Sequence, residues 1–258
     1  DIRNKAQRLG LLFEISKEIS TIFSLPKLLE TIIYRSIQVI KAQYGALMMY
    51  DGDRDQLVVK AAMGPAQQAP PIRVDTGLAG KVFREAKAIL VTDTVNHPDY
   101  DHENDRAYAG RNLIAAPLVR GNRVLGVICL TDYRAGRRAF HRDNQRLLMA
   151  LASQAAIAIE NAEVNAKLRR DYLASIKTLA AAVDAKDHYT HGHSNKVMGY
   201  SVMIARQLKL GTKEIEKIKY AALLHDIGKI GISEAVLNKP AKLTPKEFDT
   251  IAMHPILG

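Results

Sequence analysis

Apolar residues near the start of the chain recur at helical spacing and predict two helices within residues 6–45. The first stripe comprises Leu9, Leu11, Leu12, Ile15 and Ile19, and the second comprises Leu28, Leu29, Ile32, Ile33 and Ile37. Between the two stripes, Ser24 can cap a helix that has Pro26 near its first turn.

The pattern changes after Gly45 to short apolar runs, which are typical of strands. We expect strands at 46–50, 56–62, 88–91, 112–118 and 124–130. The first two strands form a hairpin, and so do the last two. We expect loops at 64–76, a short helix from Gly77 and a long loop or broken helix at 92–112. Five or six hairpin-linked strands with helices on one side are the simplest packing for an α+β domain.

From Asp143 onward the chain has a helical pattern, and neither Pro nor Gly occurs in residues 143–191. A continuous helix over 143–185 would connect two domains and pair its apolar stripe with that of a second copy in a homodimer. Two shorter helices with a bend near residues 161–170 are the alternative. The remaining residues show no strand pattern, so an all-α domain is expected over 171–258.

Composition and charge limit the partners of the chain. Its 258 residues carry a net charge of +10, with no long basic run, so we expect no nucleic-acid partner. We see no apolar run of membrane-spanning length and expect no membrane contact. The single cysteine, Cys129, excludes an internal disulfide and fits a reducing cytoplasm. The charged start without Met predicts an excised piece of a longer protein.

The strongest chemical signal is the adjacent pair His225 and Asp226 at the end of a predicted helix. A neutral imidazole and a carboxylate can bind iron, manganese or zinc, and the carboxylate can bridge two cations. Five of the eight histidines fall within residues 188–254. This clustering predicts a metal site, and Lys229 can place a positive charge near an anion that the metals hold.

The C-terminal third resembles the first half of an HD-GYP domain, a branch of the HD superfamily of metal-dependent phosphohydrolases. The segments that carry the resemblance are Asp187–Val197, His225–Ile232, Leu237–Pro240, Leu243-Thr244, His254-Pro255 and Gly258. The resemblance implies the metal ligands His193, His225, Asp226 and His254, with Asp226 and Lys229 in the catalytic machinery and Lys229 at the substrate phosphate. Members of this family hydrolyse cyclic di-GMP with two or three iron or manganese ions.

Two departures from the family pattern affect these expectations. The family's His-His pair, later Asp ligand and Gly-Tyr-Pro loop would all follow Gly258, so we expect this chain alone to show negligible catalysis and weak metal affinity. Tyr189 stands where three-metal members have Glu, which favours a two-metal site in the intact domain. His188 and His191 are expected to be exposed polar residues.

Residues 8–163 resemble a GAF domain, a family of small-molecule sensors and dimerisation modules. The matching segments are Gly77–Phe83, Asn112–Leu118, Gly126–Leu130, and Phe140 with Asp143. Asn144 replaces the Glu of cyclic-nucleotide-binding members, and Cys129 lies within an apolar strand, which indicates a core residue. A ligand, whose identity is unknown, would bind near Met48, Tyr50, Asp93, Tyr100, Tyr108 and Arg111. The alternative is that these six are ordinary core and loop residues.

Together these features predict a bacterial signalling protein in which a GAF sensor controls cyclic di-GMP hydrolysis. Two alternatives remain open. The HD part could be non-catalytic, which would leave a sensory and dimerisation module, or it could hydrolyse another nucleotide.

Overall fold

The computed structural model describes residues 10, 13–22, 24–132, 140–187 and 192–258. The chain divides into two compact units, Asp1–Ala166 and Lys167–Gly258. The predicted helix residues Leu9, Leu11 and Leu12 lie outside the described residues, as do His188, Tyr189 and His191.

Unit 1, Asp1–Ala166, is built on a six-stranded antiparallel sheet. Its strands are β1 Tyr44–Asp51, β2 Gln56–Met63, β3 Ile72–Arg73, β4 Ile89–Val91, β5 Asn112–Arg120 and β6 Arg123–Asp132. The order across the sheet is β3-β2-β1-β6-β5-β4, and each neighbouring pair is antiparallel. The antiparallel sheet was predicted correctly. The two-residue strand β3 was missed because it lies in a Pro-containing stretch that reads as a loop.

The helices of unit 1 cover both faces of this sheet. They are α1 at 13–20, α2 Leu25–Ile40, α3 Gly77–Glu85 and α4 His102–Asp105. In β1, Leu47 belongs to the core that contains α2, whereas Met48 belongs to a second core that contains residues of α3. Consecutive strand residues point to opposite faces, so the expectation of helices on one side was wrong. The physical reason is that the central strands are apolar on both faces and each face must be covered.

The long helix α5 is continuous over Arg142–Lys186, which confirms one unbroken helix in place of two shorter ones. Its buried residues in unit 1 include Leu148, Leu151, Ala155 and Ile159. One 18-residue window of α5 reaches a mean hydropathy of 1.2, with 44% of the window buried. By length and composition alone α5 is therefore a candidate membrane span, which corrects the expectation that no stretch qualifies. A core helix of a soluble protein passes the same test.

The described part of unit 2, Lys167–Gly258, is helical. After the end of α5 come α6 His193–Gln207, α7 Thr212–Leu224, a 3-10 turn at Ile227–Gly231, α8 Glu234–Leu237, α9 Pro245–Ala252 and α10 His254–Leu257. Leu223 of α7 is buried against Ile176 and Ala180 of α5. The expected architecture, an α+β domain followed by a long helix and a helical region, is confirmed.

A buried carboxylate caps the first turn of α3. Asp105 accepts hydrogen bonds from the backbone N–H of Leu78 at 3.1 Å, from that of Asp101 at 2.8 Å, and from the Tyr108 hydroxyl. Gly77 has φ +74°, and a Cβ there would lie 2.7 Å from Asp105 Oδ1. Glycine at this position allows the carboxylate to approach the helix N-terminus. Burial raises the pKa of Asp105, and the hydrogen bonds oppose that increase.

We predict that Asp105→Ala destabilises unit 1 by about 3 kcal/mol, because it leaves two buried donors and one half-buried donor without their acceptor. Asp53→Ala, at an exposed turn position, is the matched control and should change the free energy of unfolding by less than about 0.5 kcal/mol. Urea unfolding of both variants measures the difference. Equal stabilities would show that the Asp105 cap contributes nothing to the fold.

Candidate metal centre

The His225-Asp226 pair lies where α7 ends and the 3-10 turn begins. His225 is the residue after the last residue of α7, and the buried Leu223 fixes this end of the helix against α5. Asp226 then leads into the turn Ile227–Gly231. The pair is therefore held at the junction of two packed elements.

The Asp226 carboxylate is the point at which the candidate ligands meet. Potential ligand atoms of His193, His225 and Asp226 all lie within 4.8 Å of one another. His225 Nε2 is 3.4 Å from Asp226 Oδ1, and His254 Nε2 is 3.2 Å from the same oxygen. The structure thus brings three sequence-predicted ligands into one cluster, and His254 joins that cluster through Asp226. The side chain of Asp226 is only 9% exposed.

Two of the imidazoles are oriented by backbone carbonyls. His225 Nδ1 lies 2.9 Å from the carbonyl oxygen of Ala222, and His254 Nδ1 lies 2.8 Å from that of Ile251. When Nδ1 carries the proton in such a contact, Nε2 keeps a lone pair that can bind a metal. In both residues it is Nε2 that faces Asp226. The donor set and its orientation fit a divalent cation.

Lys229 lies inside the cluster, between two carboxylates. Its Nζ is 2.7 Å from Asp226 Oδ2 and 2.8 Å from Asp187 Oδ2. Burial by itself lowers the pKa of Lys229, but hydrogen bonds to Asp187 and Asp226 outweigh burial, so the pKa is raised. Lys229 is therefore protonated at neutral pH. Asp187 received no role in the sequence analysis, and only the folded structure shows its contact with Lys229.

The last turn of α5 contributes two more contacts that the sequence did not reveal. Asp184 accepts hydrogen bonds from Ser194 Oγ at 2.7 Å and Ser194 N at 3.2 Å, next to His193. Lys186 donates to carbonyl groups at the end of the 3-10 turn. From the sequence alone, a charged residue at the end of a long helix is expected to be solvated. No sequence signal therefore indicated the contacts of Asp184 and Lys186.

The six residues considered for a GAF ligand occupy different environments. Met48 and Tyr108 are buried, and the Tyr108 hydroxyl accepts from Ala79 N at 3.0 Å. Tyr50 and Tyr100 are half-buried at the edge of the same core, whereas Asp93 and Arg111 are exposed. These placements favour the reading as core and loop residues. Cys129 is buried as expected, and burial raises the pKa of its thiol well above its ordinary value.

Solved structures similar to this chain carry the GAF fold. The GAF domain of a phosphoenolpyruvate-protein phosphotransferase from Coxiella burnetii superposes with a TM-score of 0.56 at 20% identity, covering 62% of this chain and 96% of its own. A methyl-accepting chemotaxis protein gives a TM-score of 0.52 at 22% identity, covering 58% of this chain and 97% of its own. At these identities the likeness supports the fold alone.

Curated relatives match less than half of the chain's length. A 3'3'-cGAMP-specific phosphodiesterase 3 of Vibrio cholerae serotype O1 is 40% identical over 117 residues, which cover 43% of this chain and 25% of that protein. A cyclic di-GMP phosphodiesterase of Thermotoga maritima is 33% identical over 122 residues, which cover 47% of this chain and 33% of that protein. The chain thus spans a quarter to a third of the length of these relatives.

Family models cover most of the chain. The model described as GAF domain matches residues 24–160, and the model described as HD domain matches residues 190–258. The GAF match covers more than half of the 258 residues and falls within unit 1, whereas the HD match includes all four candidate ligands. The chain belongs to the GAF domain family, and the segment after its long helix matches the HD-domain model.

Proposed function

We propose that the HD domain is a divalent-metal-dependent phosphodiesterase that acts on a cyclic dinucleotide under the control of the GAF domain. The observation that carries this proposal is the convergence of His193, His225 and His254 on the Asp226 carboxylate. The printed names of the relatives, which are cyclic di-GMP and 3'3'-cGAMP phosphodiesterases, support the substrate class.

His193, His225, Asp226 and His254 would hold the metal. Imidazole nitrogen and carboxylate oxygen suit iron or manganese, the two metals that we favour, and a carboxylate can bridge the two ions of an intact site. Divalent ions supply a bound water of lowered pKa and neutralise phosphate oxygens. Burial of Asp226 limits the number of waters that compete for its oxygens.

Lys229 is the group that we assign to the substrate phosphate. It is held in place by Asp226 and Asp187, so little rotamer freedom is lost when an anion approaches. Its raised pKa keeps the ammonium charged through the neutral range. A fixed positive charge beside the site stabilises the negative charge that grows on a phosphodiester during attack by water.

Gly228 supports the assignment of His254. A Cβ at Gly228 would lie 2.0 Å from the His254 carbonyl oxygen and 2.9 Å from Gly258 N. Only glycine therefore allows the 3-10 turn to contact the start of α10 so closely. This contact brings His254 to the Asp226 carboxylate.

We also propose a homodimer that pairs through α5, in the reducing cytoplasm, with an unidentified small molecule as the GAF signal. Six large apolar side chains of α5 are more than one-third exposed, namely Met149, Ile157, Val164, Leu168, Tyr172 and Leu179. Ile157, Val164 and Leu168 are separated by seven and then four residues, as two d positions and the following a position of a coiled-coil seam are.

The central test is hydrolysis of cyclic di-GMP by the full-length protein that contains residues 1–258. We expect activity with Mn²⁺ that a chelator removes, and a loss of at least about 100-fold in His225→Ala. His141→Ala, at an exposed position in unit 1, is the matched control and should retain activity.

The outcomes of this test separate the competing readings. Hydrolysis of 3'3'-cGAMP but not of cyclic di-GMP would identify a different cyclic dinucleotide as the substrate and would support the proposed phosphodiesterase reaction. Turnover of an unrelated nucleotide alone would favour a different HD phosphohydrolase. Metal binding without turnover of any of these would leave a sensory module and contradict the proposal.

We predict that Gly228→Ala lowers Mn²⁺ affinity about 10- to 100-fold, because the added methyl group displaces the backbone at His254. Gly199→Ala is the matched control, since a Cβ there meets nothing within 4 Å, and alanine should stabilise α6 by up to about 1 kcal/mol. Isothermal titration with Mn²⁺ measures both variants. Equal Mn²⁺ affinity in the wild type and Gly228→Ala would remove His254 from the ligand set.

We predict that Val164→Asp converts the dimer to a monomer, because a carboxylate in an apolar seam carries a desolvation cost. Val95→Asp, at a position of similar exposure outside α5, should leave the dimer unchanged. Sedimentation equilibrium distinguishes the two states. A monomeric wild-type protein would overturn the dimer proposal.

A further inference from the structure

The end of α5 is bound to the metal-site turn by one side chain. Lys186 Nζ donates to the carbonyl oxygens of Lys229 at 3.2 Å, Ile230 at 2.9 Å and Ile232 at 2.5 Å. An ammonium group has three N–H donors, and three carbonyl groups receive them here. These carbonyls lie at the C-terminal end of the 3-10 turn, where a positive charge stabilises the partial negative charge of the backbone.

The same helix end makes contacts on both sides of Lys186. Asn238 Nδ2 donates to the Lys186 carbonyl oxygen at 2.7 Å, which connects the end of α8 to α5. Asp187 accepts from Lys229 Nζ at 2.8 Å. Asp184 binds Ser194 beside His193, as described above. Asp184, Lys186 and Asp187 thus contact three separate segments around the candidate site.

The turn Ile227–Gly231 is a short 3-10 element that begins directly after Asp226. Lys229 N donates to the Asp226 carbonyl at 3.0 Å, and Ile232 N donates to the Lys229 carbonyl at 3.1 Å. Short 3-10 turns have poorer hydrogen-bond geometry than α-helices and adapt readily. Without Lys186 the turn would lose three hydrogen bonds to the end of α5, and its orientation would rest on the remaining contacts of Gly228 with α10 and of Lys229 with Asp187 and Asp226.

We propose that Lys186 is a positioning residue for the metal site, which holds the turn 227–231 in the conformation that presents Asp226 and Lys229. Since Lys186 is the last residue of α5, a shift of the helix end changes the geometry of the metal site directly. This inference rests on the proposed function for its metal-binding consequence. The restraint that Lys186 places on the turn does not depend on the proposed function.

The test measures amide hydrogen exchange and Mn²⁺ affinity in the wild type, Lys186→Met and Lys186→Arg. In Lys186→Met we expect exchange at Lys229 and Ile232 to increase at least about tenfold and Mn²⁺ affinity to fall at least about tenfold. Exchange in α6 and α7 should stay unchanged. Arginine keeps several donors, so Lys186→Arg should recover most of both losses. Lys177→Met, at an exposed position of α5, is the matched control and should behave as the wild type.

The outcomes distinguish this inference from the proposed function. If Lys186→Met keeps wild-type exchange in the turn, Lys186 is not a positioning residue. If the wild type binds no Mn²⁺, the proposed function fails, while the exchange data still decide the role of Lys186. If Lys186→Met unfolds, Lys186→Gln replaces it, since its amide retains two donors. An increase in exchange confined to 227–232 then supports the inference, and wild-type exchange overturns it.

Discussion

The candidate site depends on one buried carboxylate, Asp226, and on how its negative charge is compensated. A buried carboxylate is unstable unless hydrogen bonds or positive charges replace the water that it loses. Asp226 is in contact with Lys229 on one oxygen and with the imidazoles of His225 and His254 on the other. Lys229 also contacts Asp187, so its charge is shared by two carboxylates. A cation at the imidazole side of Asp226 completes this compensation, which is the physical reason for expecting a metal there.

Asp105 in unit 1 is also a buried carboxylate, but its negative charge is compensated in a different way from that of Asp226. Its oxygens accept two backbone N–H groups and the Tyr108 hydroxyl, all neutral donors supplied by the fold. Burial raises the pKa of Asp105, and no ligand is needed to explain its position. The comparison separates a carboxylate that stabilises structure from one surrounded by groups able to bind a metal. Both follow from the same cost of burying charge.

The sequence was informative where the pattern is local. The apolar runs of β1, β2, β5 and β6 and the uninterrupted helical pattern of α5 predicted the main elements, because strand and helix periodicities are set by neighbouring residues. The signal of His225 and Asp226 is also local, because the two residues are neighbours in the chain, and it predicted a metal centre. The contact of Lys186 with the turn joins residues 43 or more positions apart. The hydrogen bonds of Lys229 with Asp187 and of Ser194 with Asp184 also form only in the folded chain. The sequence indicated the short helix α3 but not that it covers the second sheet face, because that packing also joins residues distant in the chain.

The most direct measurement is anomalous X-ray diffraction at the manganese edge from crystals, grown with Mn²⁺, of the full-length protein that contains residues 1–258. The account predicts an anomalous peak bonded to Asp226 and to imidazole nitrogens drawn from His193, His225 and His254. An anomalous peak at another place in the chain, or none at saturating Mn²⁺, would contradict it.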